Sequence, residues 1–232
     1  MHDSISKTPI IVAAVVALAL GGVGGYTVAM GMEKDSSSQQ SNTQMTMSEP
    51  TAPAADLRVG MNNLLREHVS ASLDVTRNIA SGEPKAVVDA SKTAQMANAG
   101  DIAAAVGSVY GEDAQKQITE MFVEHIEESN NYAVAVEAGD EQAKKAAQME
   151  LNEYLREISA FFSGAINDLP EDTVYSLLEE HENLLNQSVE AYEAGDFAKS
   201  YEIEREALTQ VSGVADALSG GIVKTKPDAF KQ

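Results

Sequence analysis

The chain has no cysteine and no tryptophan, and only 5% of its 232 residues are aromatic. Without cysteine it has no disulfides, no thiolate metal ligands, no cysteine nucleophile and no cysteine for lipid attachment. Basic residues are scarce as well, since 16 Lys and Arg stand against 36 Asp and Glu and the net charge is −20. A surface of this charge repels nucleic acid and anionic lipid. We therefore expect no nucleic-acid partner, and instead an unknown basic protein or other cationic ligand.

Strand-like alternation is nearly absent, and one short motif recurs. The chain contains Glu67-His68, Glu124-His125 and Glu180-His181, so the histidines are 57 and 56 residues apart. A glycine follows each histidine after 14 residues: Gly82, Gly139 and Gly195. A fixed period of this length is the signature of an internal structural repeat. The chain should therefore contain three copies of one unit.

Each unit has the pattern of a helical hairpin. Relative to its histidine, apolar residues recur at −7, −4, −3, +8 and +11, with Thr76 as the exception, and these positions form one face of an α-helix. The glycine and the acidic residue after it end that helix and begin a second one. Start signals at Glu112 and Glu171 open the third and fifth helices. The second helix of the first unit is mostly Ala with Gly100 inside, so we expect a break near residues 98–101.

These patterns predict an all-α fold of three tandem helical hairpins, at about residues 56–110, 111–168 and 169–222. Neither helix of a hairpin buries its apolar face alone, so the hairpins should pack into a six-helix up-down bundle or array. This domain is predicted at residues 55–222, with a C-terminal tail at residues 223–232.

A long apolar run precedes the domain. It covers residues 9–32, with no charge between Lys7 and Glu33, and at about 1.5 Å per residue it spans a hydrocarbon core of roughly 30 Å. We predict an uncleaved transmembrane signal anchor, with residues 1–8 in the cytoplasm and the helical domain outside the cell membrane. Residues 33–54 have almost nothing to bury and should form a disordered linker.

Two further features of the apolar run bear on localisation and assembly. Thr27-Val28-Ala29 resembles a small-residue cleavage site, so the alternative is a protein secreted after signal cleavage near Ala29. Gly21 and Gly25 have the GxxxG spacing that lets two transmembrane helices approach closely. A homodimer through Gly21 and Gly25 is therefore a further expectation.

The three histidines are the candidate functional residues. Each lies on the apolar face of its helix and follows the start of that helix by 10 to 13 residues, so in parallel helices the rings lie within about 5 Å of the same height. If the first helices of the units are neighbours, His68, His125 and His181 converge. If those helices lie in a row, the outer two histidines stay roughly 20 Å apart and are ordinary core residues.

Three converging neutral imidazoles are a good ligand set for copper or zinc. His68, His125 and His181 are therefore candidate metal ligands, and Glu67, Glu124 and Glu180 are the candidate second-shell residues or fourth ligands. Such a site should lose its metal below about pH 6, as the imidazole rings protonate.

Catalytic motifs are missing from the sequence. Three residues before each histidine stand Leu65, Phe122 and Leu178, so the Glu-x-x-His of di-iron carboxylate bundles is absent. There is no HExxH, no GxSxG and no P-loop. The histidines are copies of one position, which argues against a general acid and a general base with different roles. We predict no enzymatic activity.

Several segments resemble a known family. Ser108-Val109-Tyr110-Gly111-Glu112-Asp113-Ala114, Ala191-Tyr192-Glu193-Ala194-Gly195-Asp196 and Ile222-Val223-Lys224 are similar to a helical extracytoplasmic domain of bacterial surface proteins often labelled copper amine oxidase-like. The resemblance covers about residues 56–230 and implies an exported helical domain. It does not imply oxidase activity, because the label belongs to a separate β-rich module that this chain lacks. The resemblance also implies a further histidine in the last helix, where this chain has Gln210, and this departure argues against a metal site that uses that position.

The leading interpretation is therefore a membrane-anchored, extracytoplasmic helical module that binds an unknown partner without catalysis. The alternative is an extracytoplasmic protein that binds copper or zinc through the three repeated histidines. The two interpretations differ in whether the histidines meet in space.

Overall fold

The computed structural model describes residues 52–231. Within them the chain forms six α-helices, one short 3₁₀ helix and no β-strand, so the predicted all-α class is confirmed for this part of the chain. The elements are α1 (Ala52–Ala80), α2 (Lys85–Tyr110), α3 (Glu112–Ala138), α4 (Glu141–Ala165), α5 (Glu171–Glu193), α6 (Phe197–Thr225) and the 3₁₀ helix (Pro227–Phe230).

Most predictions for the N-terminal segment lie outside the described residues. They are the anchor at residues 9–32, the Gly21/Gly25 pair, cleavage near Ala29 and the linker up to residue 51. The last three residues of the predicted linker, 52–54, belong to α1. None of the helices in residues 52–231 is long and apolar enough to cross a membrane.

The turns inside the hairpins form where the repeated glycines predict them. Gly139 ends α3 in the left-handed conformation, with a φ of 63°, and Gly195 follows α5 with a φ of 77°. The acidic residue after each of these two glycines caps the next helix. In the first hairpin Glu83 does not, because α2 begins at Lys85 with Pro84 at its N-cap and has no side-chain cap. Asp140 accepts hydrogen bonds from the backbone N–H groups of Gln142 and Ala143, and Asp196 accepts one from Lys199. Left-handed backbone favours glycine, and these side chains satisfy otherwise free donors of the new helix.

The links between hairpins also begin helices at the predicted residues, since α3 starts at Glu112 and α5 at Glu171. The predicted break in α2 is wrong, because this helix is continuous from Lys85 to Tyr110. The side-chain amide of Asn98 is buried and donates to the carbonyl of Leu64, 3.0 Å away on α1. Packing against α1 therefore outweighs the low helix propensity of Gly100, which lies on the exposed side.

The six helices form a closed ring. Each helix packs against the next one in the chain, and α6 packs against α1. The first helices of the hairpins, α1, α3 and α5, also contact one another in the centre, while α2, α4 and α6 lie outside between them. The row of first helices that would keep the histidines apart is therefore not the arrangement that forms. One apolar core runs through the ring, with side chains such as Val69, Ile118 and Ala207 fully buried.

Candidate metal centre

The three repeated histidines meet in the middle of this inner triangle of helices. His68 comes from α1, His125 from α3 and His181 from α5, and their exposed fractions are 3%, 3% and 5%. One ring nitrogen from each histidine lies within 4.8 Å of the corresponding nitrogens of the other two. We call these three residues the histidine cluster.

Two of the three ring nitrogens have the spacing of ligands on one ion. His68 Nε2 and His125 Nε2 are 3.3 Å apart and within hydrogen-bonding distance of each other. Two nitrogens at tetrahedral positions of an ion with metal–nitrogen bonds of about 2.0–2.1 Å are also roughly 3.3 Å apart. The nitrogens of the whole cluster spread over up to 4.8 Å, so the rings would have to draw together to hold one ion.

Aromatic and aliphatic side chains close the site off from water. The Tyr154 ring on α4 stacks on His125 at 4.5 Å with an interplanar angle of 13°. Phe122 presents its edge to His68, with ring centroids 5.5 Å apart. A cavity of about 30 Å³ remains next to the three rings, and apart from the aromatic rings and Glu182 its walls are aliphatic: Leu65, Leu155, Leu178, Val211 and Val214. Such a volume is enough for a single ion or water molecule.

Burial keeps the three imidazoles neutral. It lowers the pKa of His68 to about 4 and that of His181 to about 3, and the nearby Asn98 side chain opposes the shift at His68 only in part. Burial also lowers the pKa of His125 well below its ordinary value, and proximity to His68 and His181 adds to the effect. Neutral imidazole is the form that binds a metal ion.

A carboxyl group accompanies the histidines in the core. Glu182 on α5 is only 5% exposed, and its Oε1 lies 3.5 Å from His125 Nδ1. Burial raises the pKa of Glu182 to about 8, so without an added positive charge this contact joins two neutral groups. Its second oxygen, Oε2, has no hydrogen-bond partner. A carboxylate next to the outer nitrogen of a ligating histidine is a common second-shell arrangement in metal sites.

Two buried amides stand in matching places in the first and third hairpins. Asn98 on α2 donates to the carbonyl of Leu64, and Gln210 on α6 donates to the carbonyl of Leu177, at 3.0 and 2.6 Å. Each of these carbonyls belongs to the residue four positions before a clustered histidine. The amide oxygens of Asn98 and Gln210 are buried and have no partner, as are the Nδ1 atoms of His68 and His181. Unpaired buried polar atoms of this kind are costly.

The glutamates predicted to support the histidines are not at the site. Glu67, Glu124 and Glu180 are all exposed, on the side of each helix that faces away from the cluster. Neighbours on a helix point about 100° apart, so the residue before a buried histidine on this stripe turns towards solvent. The residue after each histidine turns inwards instead, and these are Val69, Ile126 and Glu182.

The sequence carried two signals for the missed residues. Position +1 from each histidine belongs to the apolar stripe, because it lies four residues after −3 and seven before +8, so a glutamate there is a buried charge by pattern. Asn98, Tyr154 and Gln210 follow one another at intervals of 56 residues, which is the repeat period. These three residues are recognisable from the sequence when polar residues that recur at the repeat period are considered together with the histidines.

Comparison with protein families, characterised proteins and solved structures found no match to this chain. The resemblance to the extracytoplasmic helical domain therefore stays a prediction, and the functional conclusion depends on the geometry of the histidine cluster.

Proposed function

We propose that this protein binds one transition-metal ion, copper or zinc, between His68, His125 and His181. The observation that carries the proposal is the meeting of three buried, neutral imidazoles with ligand nitrogens within 4.8 Å of one another. Of the two interpretations drawn from the sequence, metal binding is the one that a specific arrangement of residues supports. Binding an unknown partner rests on the acidic surface and on an open groove of about 760 Å³ between α5 and α6, neither of which defines a ligand.

The unpaired atoms around the cluster support the proposal. When a histidine binds a metal through Nε2, its Nδ1–H needs an acceptor that fixes the ring. Glu182 Oε1 is in position for His125, and the free amide oxygen of Asn98 is available beside His68. Gln210 is the matching residue of the third hairpin, since its amide donates to Leu177 as that of Asn98 donates to Leu64. A bound ion would give partners to atoms that otherwise have none.

Charge also favours an ion at this position. A divalent ion in a buried site needs a nearby negative charge. The field of the ion would stabilise the ionised form of Glu182, which burial alone keeps protonated near neutral pH. Binding would then release a proton from the carboxyl group while the imidazoles, already neutral, act as ligands.

The pH at which such a site empties should be lower than the sequence suggested. Release near pH 6 is expected for imidazoles of ordinary pKa. Because burial lowers the pKa of His68 to about 4 and that of His181 to about 3, protons should begin to compete for the ligands only near pH 4.

The location of the site is a separate part of the proposal and is based on the sequence. With residues 9–32 as a membrane anchor and the linker after them, the metal would be held at the outer face of the cell membrane. Secretion after cleavage near Ala29 would free the same domain from the membrane. Neither placement alters the ligands.

The test is the metal content of the full chain after exposure to Cu²⁺, Zn²⁺ and Fe²⁺ in turn and removal of unbound ion. We expect about one equivalent of copper or zinc, and less than about one tenth of that in the triple variant His68→Ala, His125→Ala, His181→Ala. Because three truncations in the core endanger folding, His125→Phe is the second variant. It keeps a ring of similar size and removes both nitrogens.

The matched control is His2→Ala, which removes the one histidine of the chain outside the cluster. It should bind as the wild type does. Equal metal content in the wild type and in a folded His125→Phe variant would overturn the proposal, as would a loss of metal in His2→Ala alone.

A further inference from the structure

The histidine cluster has no open face, since all three rings are at least 95% buried, and an ion must reach it through the ring of helices. Two surface grooves share a wall with the central cavity. One lies between α4 and α5 and shares Leu155 and Glu182 with it. The other lies between α3 and α4 and shares Tyr154.

The groove between α4 and α5 has a volume of about 270 Å³ and is lined mainly by oxygen-bearing side chains. We call it the α4–α5 groove, and its polar residues are Gln148, Asn152, Glu179, Glu182, Asn183 and Asn186. Amide and carboxylate oxygens are ligands that partly hydrated divalent ions accept. The helices on its two sides also pack less extensively than any other pair that is consecutive in the chain.

Glu182 connects this groove to the cluster. Glu182 lines both spaces. Its Oε1 lies 3.5 Å from His125 Nδ1 and its Oε2 is buried without a partner, so this one side chain forms part of the wall between the groove and the inner site. Among residues 52–231, no other acidic or basic residue lines the central cavity.

The groove between α3 and α4 is more acidic but makes a poorer entrance. Six glutamates line it: Glu124, Glu127, Glu128, Glu150, Glu153 and Glu157. Its only link to the cavity is Tyr154, whose ring is stacked flat on His125. No carboxylate bridges this groove to the histidines, so an ion attracted here meets an aromatic ring.

We infer that the α4–α5 groove is the entry site for a divalent transition-metal ion and that Glu182 transfers the ion from the groove to the histidine cluster. This inference rests on the proposed metal site and adds its route of loading. It predicts that filling the groove slows uptake without changing the amount of metal finally bound.

The experiment follows the uptake of Co²⁺ by the full chain, using the visible absorption of cobalt bound to imidazole. Asn183→Trp fills the groove from α5 at an exposed residue that is outside the cluster. Gln148→Trp fills it from α4 and serves as a second variant. We expect each to slow uptake by at least about tenfold, since access and focusing of ions change rates of association by 10 to 1,000-fold, with unchanged final absorbance.

Asn131→Trp is the matched control. It makes the same change in a groove of about 370 Å³ that shares no lining residue with the central cavity, and it should load at the wild-type rate. Glu153→Trp tests the acidic groove in the same way. Glu182→Gln should slow uptake as well, because a neutral amide is a weaker ligand for the passing ion.

The results separate this inference from the proposed function. Wild-type uptake with slow loading of Asn183→Trp and Gln148→Trp, and normal loading of Asn131→Trp, supports the entry site. Wild-type uptake with normal loading of both groove variants overturns the entry site and leaves the metal site standing. Slow loading of Glu153→Trp alone would move the entrance to the acidic groove. A wild-type chain that takes up no cobalt would overturn both.

Discussion

At the scale of single residues, Glu182 has the most unusual environment in the described part of the chain. It follows His181 directly, and at the same position the other two hairpins have Val69 and Ile126. An acidic side chain thus replaces an apolar one on the buried stripe of one helix in three. Burying a carboxyl group costs free energy unless it gains a partner, and the proposed metal site would supply one.

In the metal-free protein this residue and the histidines should give stability a maximum near pH 6.5. The folded state lowers the pKa of the imidazoles from 6.5, to about 4 for His68 and about 3 for His181. Between those values the unfolded chain binds more protons, so the free energy of unfolding rises with pH up to about 6.5. Folding raises the pKa of Glu182 from 4.5 to about 8. Between pH 4.5 and 8 the folded chain therefore binds more protons at Glu182 than the unfolded chain does. Above pH 6.5 this is the remaining effect, and stability falls as pH rises to 8.

The measurement is urea unfolding of the full chain with a chelator between pH 5 and 8.5. One carboxyl group accounts for a fall of at most about 1.4 kcal/mol per pH unit. Glu182→Gln, which has nearly the same volume and does not titrate, should remove the fall above pH 6.5 and steepen the rise below it, because Glu182 opposes that rise between pH 4.5 and 6.5. A variant that retains the whole decline would show that another group causes it.

At the scale of helices and turns, the local features of this fold were predictable and the packing was not. The hairpin turns at Gly139 and Gly195 and the helix starts at Glu112 and Glu171 follow from residues within a few positions of each feature. The continuity of α2 depends on contacts with α1 that local composition does not contain. Whether α1, α3 and α5 meet depends on the angles between hairpins. The repeat period does not fix these angles, so the sequence was compatible with a central triangle of first helices and with a row of them.

Local backbone conformation predicts opposite effects on stability for alanine substitutions at two glycines. Gly139 has a φ of 63°, where an added Cβ is strained even though nothing lies within 4 Å of it. Gly139→Ala should therefore cost about 1–2 kcal/mol. Gly100 lies inside α2 with equally open surroundings, and Gly100→Ala should stabilise the protein by up to about 1 kcal/mol.

Both values follow from urea unfolding of the two variants beside the wild type. Because the two substitutions add the same methyl group in open space, they separate backbone conformation from packing. A loss of stability in Gly100→Ala would mean that α2 is bent at this residue in solution.

At the scale of the whole molecule, repulsion between acidic side chains opposes the packing of the six helices into a closed ring. Residues 56–231 contain 32 acidic and 14 basic residues, a net charge of −18. Their mutual repulsion opposes a compact ring. Two ion pairs join α1 to α6 across the closure. The pairing of Arg58 with Asp216 at 2.6 Å is exposed and therefore weak, whereas that of Arg77 with Glu204 at 2.8 Å is mostly buried.

Salt should consequently stabilise the metal-free protein. Raising NaCl from about 20 to about 200 mM shortens the range of repulsion and should raise the melting temperature by about 2–4 °C, equivalent to roughly 1 kcal/mol. The triple variant Glu150→Gln, Glu153→Gln, Glu157→Gln removes three charges from the groove between α3 and α4. It should melt at a higher temperature in low salt and respond less to NaCl. If salt lowers the melting temperature instead, ion pairs such as Arg58–Asp216 outweigh the repulsion.

Because the six helices close into a ring, the two ends of the domain are neighbours. The start of α1 and the 3₁₀ helix at the other end of the domain lie together, with Ala54 and Phe230 buried in one core. A circularly permuted protein, opened at Gly111 and joined by a short linker between these ends, would run from α3 through α6 to α1 and α2. The same three imidazoles would face one another, because each hairpin supplies one of them whatever its place in the sequence. The histidine cluster therefore depends on the three hairpins packing in a ring and not on which hairpin comes first in the sequence.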